Sequence, residues 1–223
     1  MGSGLEWGDK MIYFCLIGLV GSLLMLLGDQ LLYLSKSAVK REKTTDAMDY
    51  IAEVMNELPV KRFCAGGLIG PFAAFVYCAG FYHLVLAVNP DFVVWKNVAL
   101  AAFLLNCFGI IYGGAFHTHF PYLGLFGKTE QKETRDIIVK YFSKLMIFTY
   151  IGEGIGFGLM LIMITSGATV FPRWCAVVTP GVLMLLKPIV AKIPGMAGKF
   201  ISGGWSNLIS VIYYVVIIVV QVM

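Results

Sequence analysis

The sequence predicts an all-α membrane protein, a polytopic bundle of about six transmembrane helices with both termini outside. Of its 223 residues, 59% are hydrophobic and 13% are charged, which is about half the charged share of a soluble domain. Several apolar runs are long enough to cross a bilayer as helices, whereas the strands of a membrane barrel would be short and alternating. We therefore expect a single transmembrane helical domain over residues 1–223.

Six apolar runs mark the predicted spans, at about 11–34, 63–87, 97–119, 145–166, 174–193 and 200–222. The stretch from Glu130 to Lys144 is expected to continue as a helix into the fourth span. In the first connection, apolar residues recur at helical spacing over about 45–58, before Pro59. They predict a short helix that either lies on the cytoplasmic membrane surface or packs against the ends of the bundle.

Lysines and arginines alternate between the connections of this predicted bundle. Most of them lie in the first, third and fifth connections, while the second and fourth contribute only Lys96 and Arg173. By the positive-inside rule, the odd connections are cytoplasmic and both termini are outside. The net charge of +4 thus comes from cations that are distributed according to membrane topology. We therefore expect a multi-pass protein of the cell membrane, which in a bacterium is the inner membrane. It would contact membrane lipids and no nucleic acid.

The fourth span carries a carboxylate, Glu153, near its middle. A charged group in hydrocarbon is costly and rarely faces lipid, so Glu153 is expected to point into the bundle or into a wet cavity. Glycines surround it at positions 152, 154, 156 and 158, and small residues let neighbouring backbones come close. This span is therefore the first candidate for a functional helix.

Polar residues of several spans fall at matched depth. At about 1.5 Å of rise per residue, spans one, three, four, five and six all place polar residues in the cytoplasmic half of the bilayer. On spans one, three and six these residues share a face with small residues, the kind of face that helices turn toward one another. We predict one cavity there, with Asp29, Glu153 and His117 as catalytic residues and Asn207, Trp205, Tyr33 and Lys187 as binding residues.

Less specific interpretations stay open for the same residues. Small and polar residues also stabilise contacts between helices, at about 0.6 kcal/mol per hydrogen bond. Asp29 could simply pair with Lys187, and His117 could lie at headgroup level in an aromatic belt. Structural roles are favoured for His83 and His119, and the five cysteines are interpreted as small packing residues.

Two carboxylates in different environments can act as a protonated acid and an ionised base. Asp29 and Glu153 could in this way activate water against a lipid bond, or move a proton during an isomerisation. A zinc site of these two residues with His117 is conceivable, but no spacing is diagnostic of it, so neither a metal nor a cofactor is assigned. HExxH, GxSxG and P-loop motifs are absent from the sequence.

Part of the first span resembles a known family. The segment from Ser22 to Leu32, SLLMLLGDQLL, is similar to the Ser/Gly-Asp-containing span of lysoplasmalogenase-like (YhhN-type) membrane proteins. Those proteins hydrolyse the vinyl-ether bond of lysoplasmalogens and are thought to use membrane aspartates. The resemblance covers about one span in six, and it implies a role for Asp29, with Glu153 in the place of the family's second aspartate.

A broader resemblance extends over the whole chain. It joins the sequence to an uncharacterised group of bacterial multi-pass membrane proteins of unknown function, and it implies no activity. The similar segments are Gly28-Asp29, Gly113 to His117, Phe171 to Trp174 with Pro180, and Gly203 to Asn207. The mixture of histidine, glutamate, tryptophan and asparagine also resembles emopamil-binding-type sterol isomerases.

Three functions fit these features. The first is a membrane-embedded hydrolase or isomerase acting on a lipid or other amphiphile, with Asp29 and Glu153 as acid and base. The second is a proton- or cation-coupled small-solute transporter or channel in which Glu153 titrates. The third is a non-catalytic structural membrane protein. The sequence assigns neither enzymatic activity nor an oligomeric state.

Overall fold

The computed structural model describes residues 7–35, 54–55, 57–126 and 132–223, and most of them are helical. Within this part of the chain, five helices are long and apolar enough to cross a membrane. The helices are α1 (Trp7–Tyr33), α2 (Val60–Phe81), α3 (Trp95–Phe126), α4 (Lys132–Ser166), the shorter α5 (Gly195–Gly203) and α6 (Trp205–Val222). Short helical turns lie at His83–Leu86, Arg173–Val178, Pro180–Leu183, Met184–Leu186 and Lys187–Val190. The predicted all-α class is confirmed, and the long helices indicate a multi-pass membrane protein.

The surface of the bundle is apolar and part of its interior is polar. Large apolar side chains such as Leu68, Phe75 and Ile155 are more than half exposed. Asp29 and Asn106, in contrast, are buried. This distribution is the one expected where hydrocarbon rather than water surrounds the helices, because lipid tails are as apolar as leucine.

The long helices stand in a curved row. Consecutive helices pack side by side in the order α4, α3, α2 and α1, and α6 extends the row by packing against α1. The two ends of the row, α4 and α6, have almost no direct contact. Gly18 lies against the ring of Tyr214, and Asp29 is hydrogen-bonded to Asn207, so α1 and α6 are antiparallel. The start of α1 and the end of α6 therefore lie on the same side of the bundle, and which side is cytoplasmic stays a prediction.

The predicted fifth span, 174–193, is wrong as a continuous helix. Residues 173–190, the broken segment, consist of four short helical turns. Pro180 lacks an N–H and restricts the residue before it, so Thr179 is extended, with φ −62° and ψ 144°. Pro188 lies in the first turn of the last piece, where its missing N–H is tolerated. Two prolines thus divide a run that hydropathy alone marks as one helix.

The broken segment nevertheless passes along the bundle between α4 and α6. Gly181 lies against Phe157, and farther on the Nζ of Lys187 lies over the ring of Tyr150. As the segment advances, its neighbours on α4 thus come from earlier positions, so it runs antiparallel to α4. This path explains how a chain with five long helices returns to the side from which α6 starts.

The other predicted spans hold with changed boundaries. The helix α4 is continuous from Lys132, as expected from the stretch that precedes the fourth span. The predicted sixth span, 200–222, is divided at Gly204, which has φ −102° and ψ 14° and separates α5 from α6. The third span continues through Pro121 to Phe126 instead of ending near 119.

The glycines around Glu153 divide into two pairs. A Cβ added at Gly152 would lie 2.7 Å from the N of Gly109, and one at Gly156 would also meet side-chain atoms of α3. Gly154 and Gly158 have no atom within 4 Å of such a Cβ. The prediction of close helix approach is therefore correct for the first pair and wrong for the second.

Most of the predicted surface helix at 45–58 lies outside the described residues, which include only 54, 55, 57 and 58 of it. Met55 and Leu58 are buried in an apolar cluster formed at the ends of α2, α3 and α4. The described part therefore packs against the end of the bundle, which agrees with the second interpretation offered for it.

Candidate functional site

A cavity of about 350 Å³ lies inside the row of helices, between α4 and α6. All five long helices contribute to its wall, as do the broken segment and α5. Its volume falls within the range of small-molecule sites, about 300–1,000 Å³. Six of the seven residues predicted for the site line it: Asp29, Tyr33, His117, Glu153, Lys187 and Asn207.

Asp29 on α1 is buried, and both of its carboxylate oxygens have partners. Its Oδ1 lies 3.3 Å from Nε2 of His117, and its Oδ2 accepts a hydrogen bond of 2.7 Å from Nδ2 of Asn207. A carboxylate removed from water needs such partners, because an unpaired buried charge is costly. Asp29 is thus paired with His117 and Asn207 and not with Lys187, the alternative that the sequence left open.

His117 on α3 is held between two glycines. A Cβ at Gly70 would overlap the Cβ of His117, and one at Gly28 would lie 3.4 Å from its Nδ1. This close packing leaves Nε2 facing Asp29, while Nδ1 is buried and has no hydrogen-bond partner among the described residues. Because an ionised carboxylate can only accept, Nε2 carries the proton in the neutral ring. His117 is thus part of the bundle interior and not of an aromatic belt.

Asn207 on α6 joins Asp29 to a tyrosine of α2. Its Oδ1 accepts a hydrogen bond of 3.2 Å from the hydroxyl of Tyr77, while its Nδ2 donates to Asp29. The carboxylate accepts and the hydroxyl donates, so the two bonds together require this orientation of the amide. A series of polar contacts thus runs from Tyr77 through Asn207 and Asp29 to His117. It connects α2, α6, α1 and α3.

Glu153 lines the same cavity from α4 and is half-buried. A Cβ at Gly109 would lie 2.7 Å from its Cγ, so the stem of the side chain packs against α3. Within the described residues, no hydrogen bond or ion pair engages its carboxylate. The two carboxylates of the cavity therefore differ: the oxygens of Asp29 are held by two donors, whereas those of Glu153 are free to meet a ligand.

Two lysines also line the cavity, Lys187 from the broken segment and Lys199 from α5. The Nζ of Lys187 lies 5.9 Å from the ring centre of Tyr150, a cation–π contact. No ion pair joins Lys187 to either carboxylate of the cavity in the part of the chain that is described. Tyr33, at the end of α1, lines the same region, and its ring meets that of Phe120 edge-on.

Trp205 is the predicted site residue that does not line the cavity. Its side chain is buried with Val190 and Ile209, and in the part of the chain that the structure describes its Nε1 has no hydrogen-bond partner. Residues two apart on a helix point about 200° apart, so Trp205 turns away from the cavity when Asn207 turns toward it. Its contribution is to pack α6 against the broken segment.

The other two histidines have local partners. The Nδ1 of His83 lies 2.8 Å from the carbonyl oxygen of Gly80, and its Nε2 lies 2.8 Å from the hydroxyl of Tyr213. The Nδ1 of His119 lies 2.6 Å from the carbonyl oxygen of Ala115. Neither histidine lines the cavity, which agrees with the structural roles favoured for them.

Metal ligands and disulfides do not mark this site. In the described ranges, no group of three His, Cys, Asp or Glu side chains is placed to hold a metal ion. All five cysteines are free, and each is buried or half-buried among the helices. The chemistry that the cavity offers is therefore that of two carboxylates, an imidazole, hydroxyl groups and two ammonium groups.

Tyr77 and Lys199 are site residues that sequence reasoning missed. Tyr77 lies two helical turns after Gly70 on α2, and this spacing from a small residue is its signal in the sequence. Its backbone packs against Gly21 of α1. In the sequence, Lys199 stands just before the predicted sixth span and indicates only a cation of the fifth connection. It lines the cavity because α5 folds back beside the end of α1, where Gln30 donates to the carbonyl oxygen of Phe200.

Comparison with known proteins identifies the family. No curated protein matches the chain, and no solved structure does. Residues 7–222, which include all six helices, match the Family of unknown function (DUF6796). The resemblance to an uncharacterised family is confirmed in this respect, whereas the one to lysoplasmalogenase-like proteins stays a prediction. The chain is therefore a member of the DUF6796 family.

Proposed function

We propose that the protein is a membrane-embedded acid–base enzyme, a hydrolase or isomerase that acts on a lipid or other amphiphile. The observation that carries this proposal is the carboxylate of Asp29, held by His117 and Asn207 beside a cavity that Glu153 shares. A carboxylate fixed by two donors is preorganised for catalysis. Burying a charged group among membrane helices costs stability, and a catalytic role would explain why the protein keeps it.

The contrast between the two carboxylates supports an assignment of roles. Asp29, which accepts two hydrogen bonds, is suited to be the ionised base. Glu153 lies in a cavity whose wall includes the apolar side chains Ile110 and Phe157, so it is suited to be the protonated acid. In a hydrolysis, Asp29 takes a proton from water as the water oxygen attacks, and Glu153 gives a proton to the leaving oxygen. In an isomerisation, one residue removes a proton from carbon and the other returns a proton to a different carbon.

The position of the cavity supports an amphiphile as the substrate. It lies between α4 and α6, which have little direct contact, and within the described residues the broken segment fills the gap between them beside the cavity. Its wall combines aromatic and aliphatic side chains with the polar groups described above. We further propose that this region lies in the cytoplasmic half of a cell membrane, as the distribution of cations predicts.

Turnover of a lysolipid panel by the purified protein tests the proposal. The panel contains vinyl-ether, ester and unsaturated single-chain lipids, and products are followed by mass spectrometry. We expect Asp29→Asn to abolish turnover and Asp91→Asn, at an exposed site away from the cavity, to preserve it. Equal turnover by both variants would remove Asp29 from the mechanism.

A second candidate, proton- or cation-coupled transport, has one specific observation in its favour. The cavity is bounded by two interrupted elements, the broken segment and the α5–α6 pair divided at Gly204. Discontinuous helices around a central site are typical of secondary transporters. Proton flux into liposomes that contain the protein, with Glu153→Gln as the comparison, tests this candidate. A protein with neither turnover nor flux would support the third, structural function.

A further inference from the structure

We propose that the ligand of this cavity is a single-chain amphiphile with an anionic head group, bound with its head at Lys187 and Lys199 and its chain toward Phe81 and Phe157. This inference rests on the proposed function, because it names the substrate class of the same site. The inference goes beyond the proposed function, because acid–base chemistry alone would suit a neutral sterol equally well.

The polar and apolar linings of the cavity are arranged by depth. On α1, Tyr33, Asp29 and Met25 line it at intervals of about one turn, and at about 1.5 Å per residue this stretch spans ~12 Å. The hydrogen bond from Asn207 fixes the level of Asp29 on α6. The cavity thus has an outer level near the end of α1, a middle level at Asp29, and an inner level toward Met25.

The outer level carries the cations. Lys199 belongs to α5, which is hydrogen-bonded to α1 one residue beyond Asp29, through Gln30. Ser202, one turn after Lys199, lines the same level. Lys187 approaches from the other side, where it lies over Tyr150 of α4. Two ammonium groups with a hydroxyl are the donors expected around a phosphate or carboxylate.

The inner level is apolar and aromatic. Phe81 and Phe157 meet edge-on, with ring centres 6.3 Å apart, and Met25 and Ile110 line the cavity with them. The hydroxyl groups of Tyr77 and Ser210 also line the cavity, but they donate to Asn207 and to the carbonyl oxygen of Ser206. The wall around the two phenylalanines therefore suits the hydrocarbon part of a ligand. A volume of about 350 Å³ is at the small end of the range for ligand sites, which favours one chain over two.

The carboxylates stand between these two levels. Asp29 is about one turn from both Tyr33 and Met25, and Glu153 is about one turn from Tyr150 on the outer side and from Phe157 on the inner side. An amphiphile bound in the proposed orientation presents the bond between its head and chain regions to both. The ionised carboxylate of Asp29 disfavours an anionic group at the middle level, so charge repulsion keeps the head at the lysines.

Equilibrium binding to the protein in nanodiscs of neutral lipid tests this inference. The probes are four radiolabelled amphiphiles with one acyl chain length: lysophosphatidate, a free fatty acid, lysophosphatidylcholine and a monoacylglycerol. We expect lysophosphatidate or the fatty acid to bind at least about tenfold tighter than the monoacylglycerol. Which of these two binds tighter distinguishes a phosphate from a carboxylate head.

The variants assign the preference to the lysines. We expect Lys187→Gln and Lys199→Gln each to weaken binding of the anionic probe about tenfold and to leave monoacylglycerol binding unchanged. Lys192→Gln is the matched control, because Lys192 is exposed, follows the broken segment and does not line the cavity. Equal binding of charged and neutral probes, or equal losses in all three variants, would overturn the inference.

The two proposals fail separately. Turnover of a neutral amphiphile that Asp29→Asn abolishes, without any preference for anionic heads, would contradict the inference and leave the proposed function intact. Lysine-dependent binding of an anionic amphiphile without turnover would support the inference and contradict the enzymatic function. Phe81→Gln, at the inner level, is expected to weaken binding of every single-chain probe, which a site for the head group alone would not do.

Discussion

The Nδ2 of Asn207 donates a hydrogen bond of 2.7 Å to the Oδ2 of Asp29, across 178 positions of the sequence. This bond joins α6 to α1 at the level of the cavity. The hydroxyl of Tyr77 supports it from α2 by donating to the Oδ1 of the same amide. A single asparagine therefore orients the carboxylate and fixes the register of α6.

We expect Asn207→Ala to destabilise the folded protein by about 1–3 kcal/mol, because it leaves Asp29 and Tyr77 each with a lost partner. Unfolding in mixed detergent micelles measures the difference in free energy. Asn97→Ala, at an exposed position of α3, is the control and should change stability little. In a double-mutant cycle, Tyr77→Phe should cost less when Asn207 is already alanine; strict additivity would contradict the link between the two residues.

Gly70→Ala is predicted to disturb the packing of the His117 side chain against α2. The added methyl group overlaps the Cβ of His117, and overpacking of this kind costs about 1–3 kcal/mol. Gly154→Ala is the matched change on α4, where nothing lies within 4 Å, and it should be neutral or slightly stabilising through helix propensity. Thermal unfolding in detergent compares the two, and similar melting temperatures for both variants would argue against the tight contact of α2 with α3.

Glu153→Gln is predicted to abolish turnover and to leave the melting temperature near that of the parent. No cation pairs with Glu153 in the described residues, so replacing its carboxyl group strands no partner. Glu133→Gln, at an exposed site in the first turn of the same helix, is the control. A loss of stability of about 3–5 kcal/mol would instead reveal a buried ion pair.

The orientation in the membrane is predicted from the loop cations. After the native thiols are replaced, a cysteine at position 91 should react with an impermeant maleimide applied to intact cells. A cysteine at position 132 should react only after the membrane is opened. Labelling at position 132 from outside would reverse the topology, although the antiparallel arrangement of α1 and α6 would stand.

Which residues line the cavity could largely be predicted from two periodic quantities, whereas their functional roles stay predictions. Rise per residue predicts Asp29, His117, Glu153 and Asn207 in the same half of the bilayer, and the spacing of small residues indicates which faces turn inward. All four line one cavity in the structure. Which groups pair with which could not be predicted, because Asp29 has both a histidine and lysines within the same region of the fold. The partner is decided by the close approach at Gly70, a packing detail without a sequence signal of its own.

The errors have local physical causes. Hydropathy averages over a window, so the run that contains Pro180 and Pro188 is predicted as one span, although each proline lies in the first turn of a new short helical piece. Trp205 was assigned to the site for its chemistry, whereas its position two residues before Asn207 turns it to the opposite face. Tyr77 lacks a charge, and only its place on a small-residue face distinguishes it from a lipid-facing tyrosine.

The pairing of α1 with α6 has a consequence for biogenesis. Asp29 enters the membrane with α1, and the amide that holds its Oδ2 arrives only when Asn207 and α6 are inserted. During this interval α1 is a helix with an incompletely solvated charge, a state in which membrane helices stay near water or near the insertion machinery. Release of the nascent chain into lipid is therefore coupled to completion of the polar site, so a chain that stops before Asn207 should be retained and degraded.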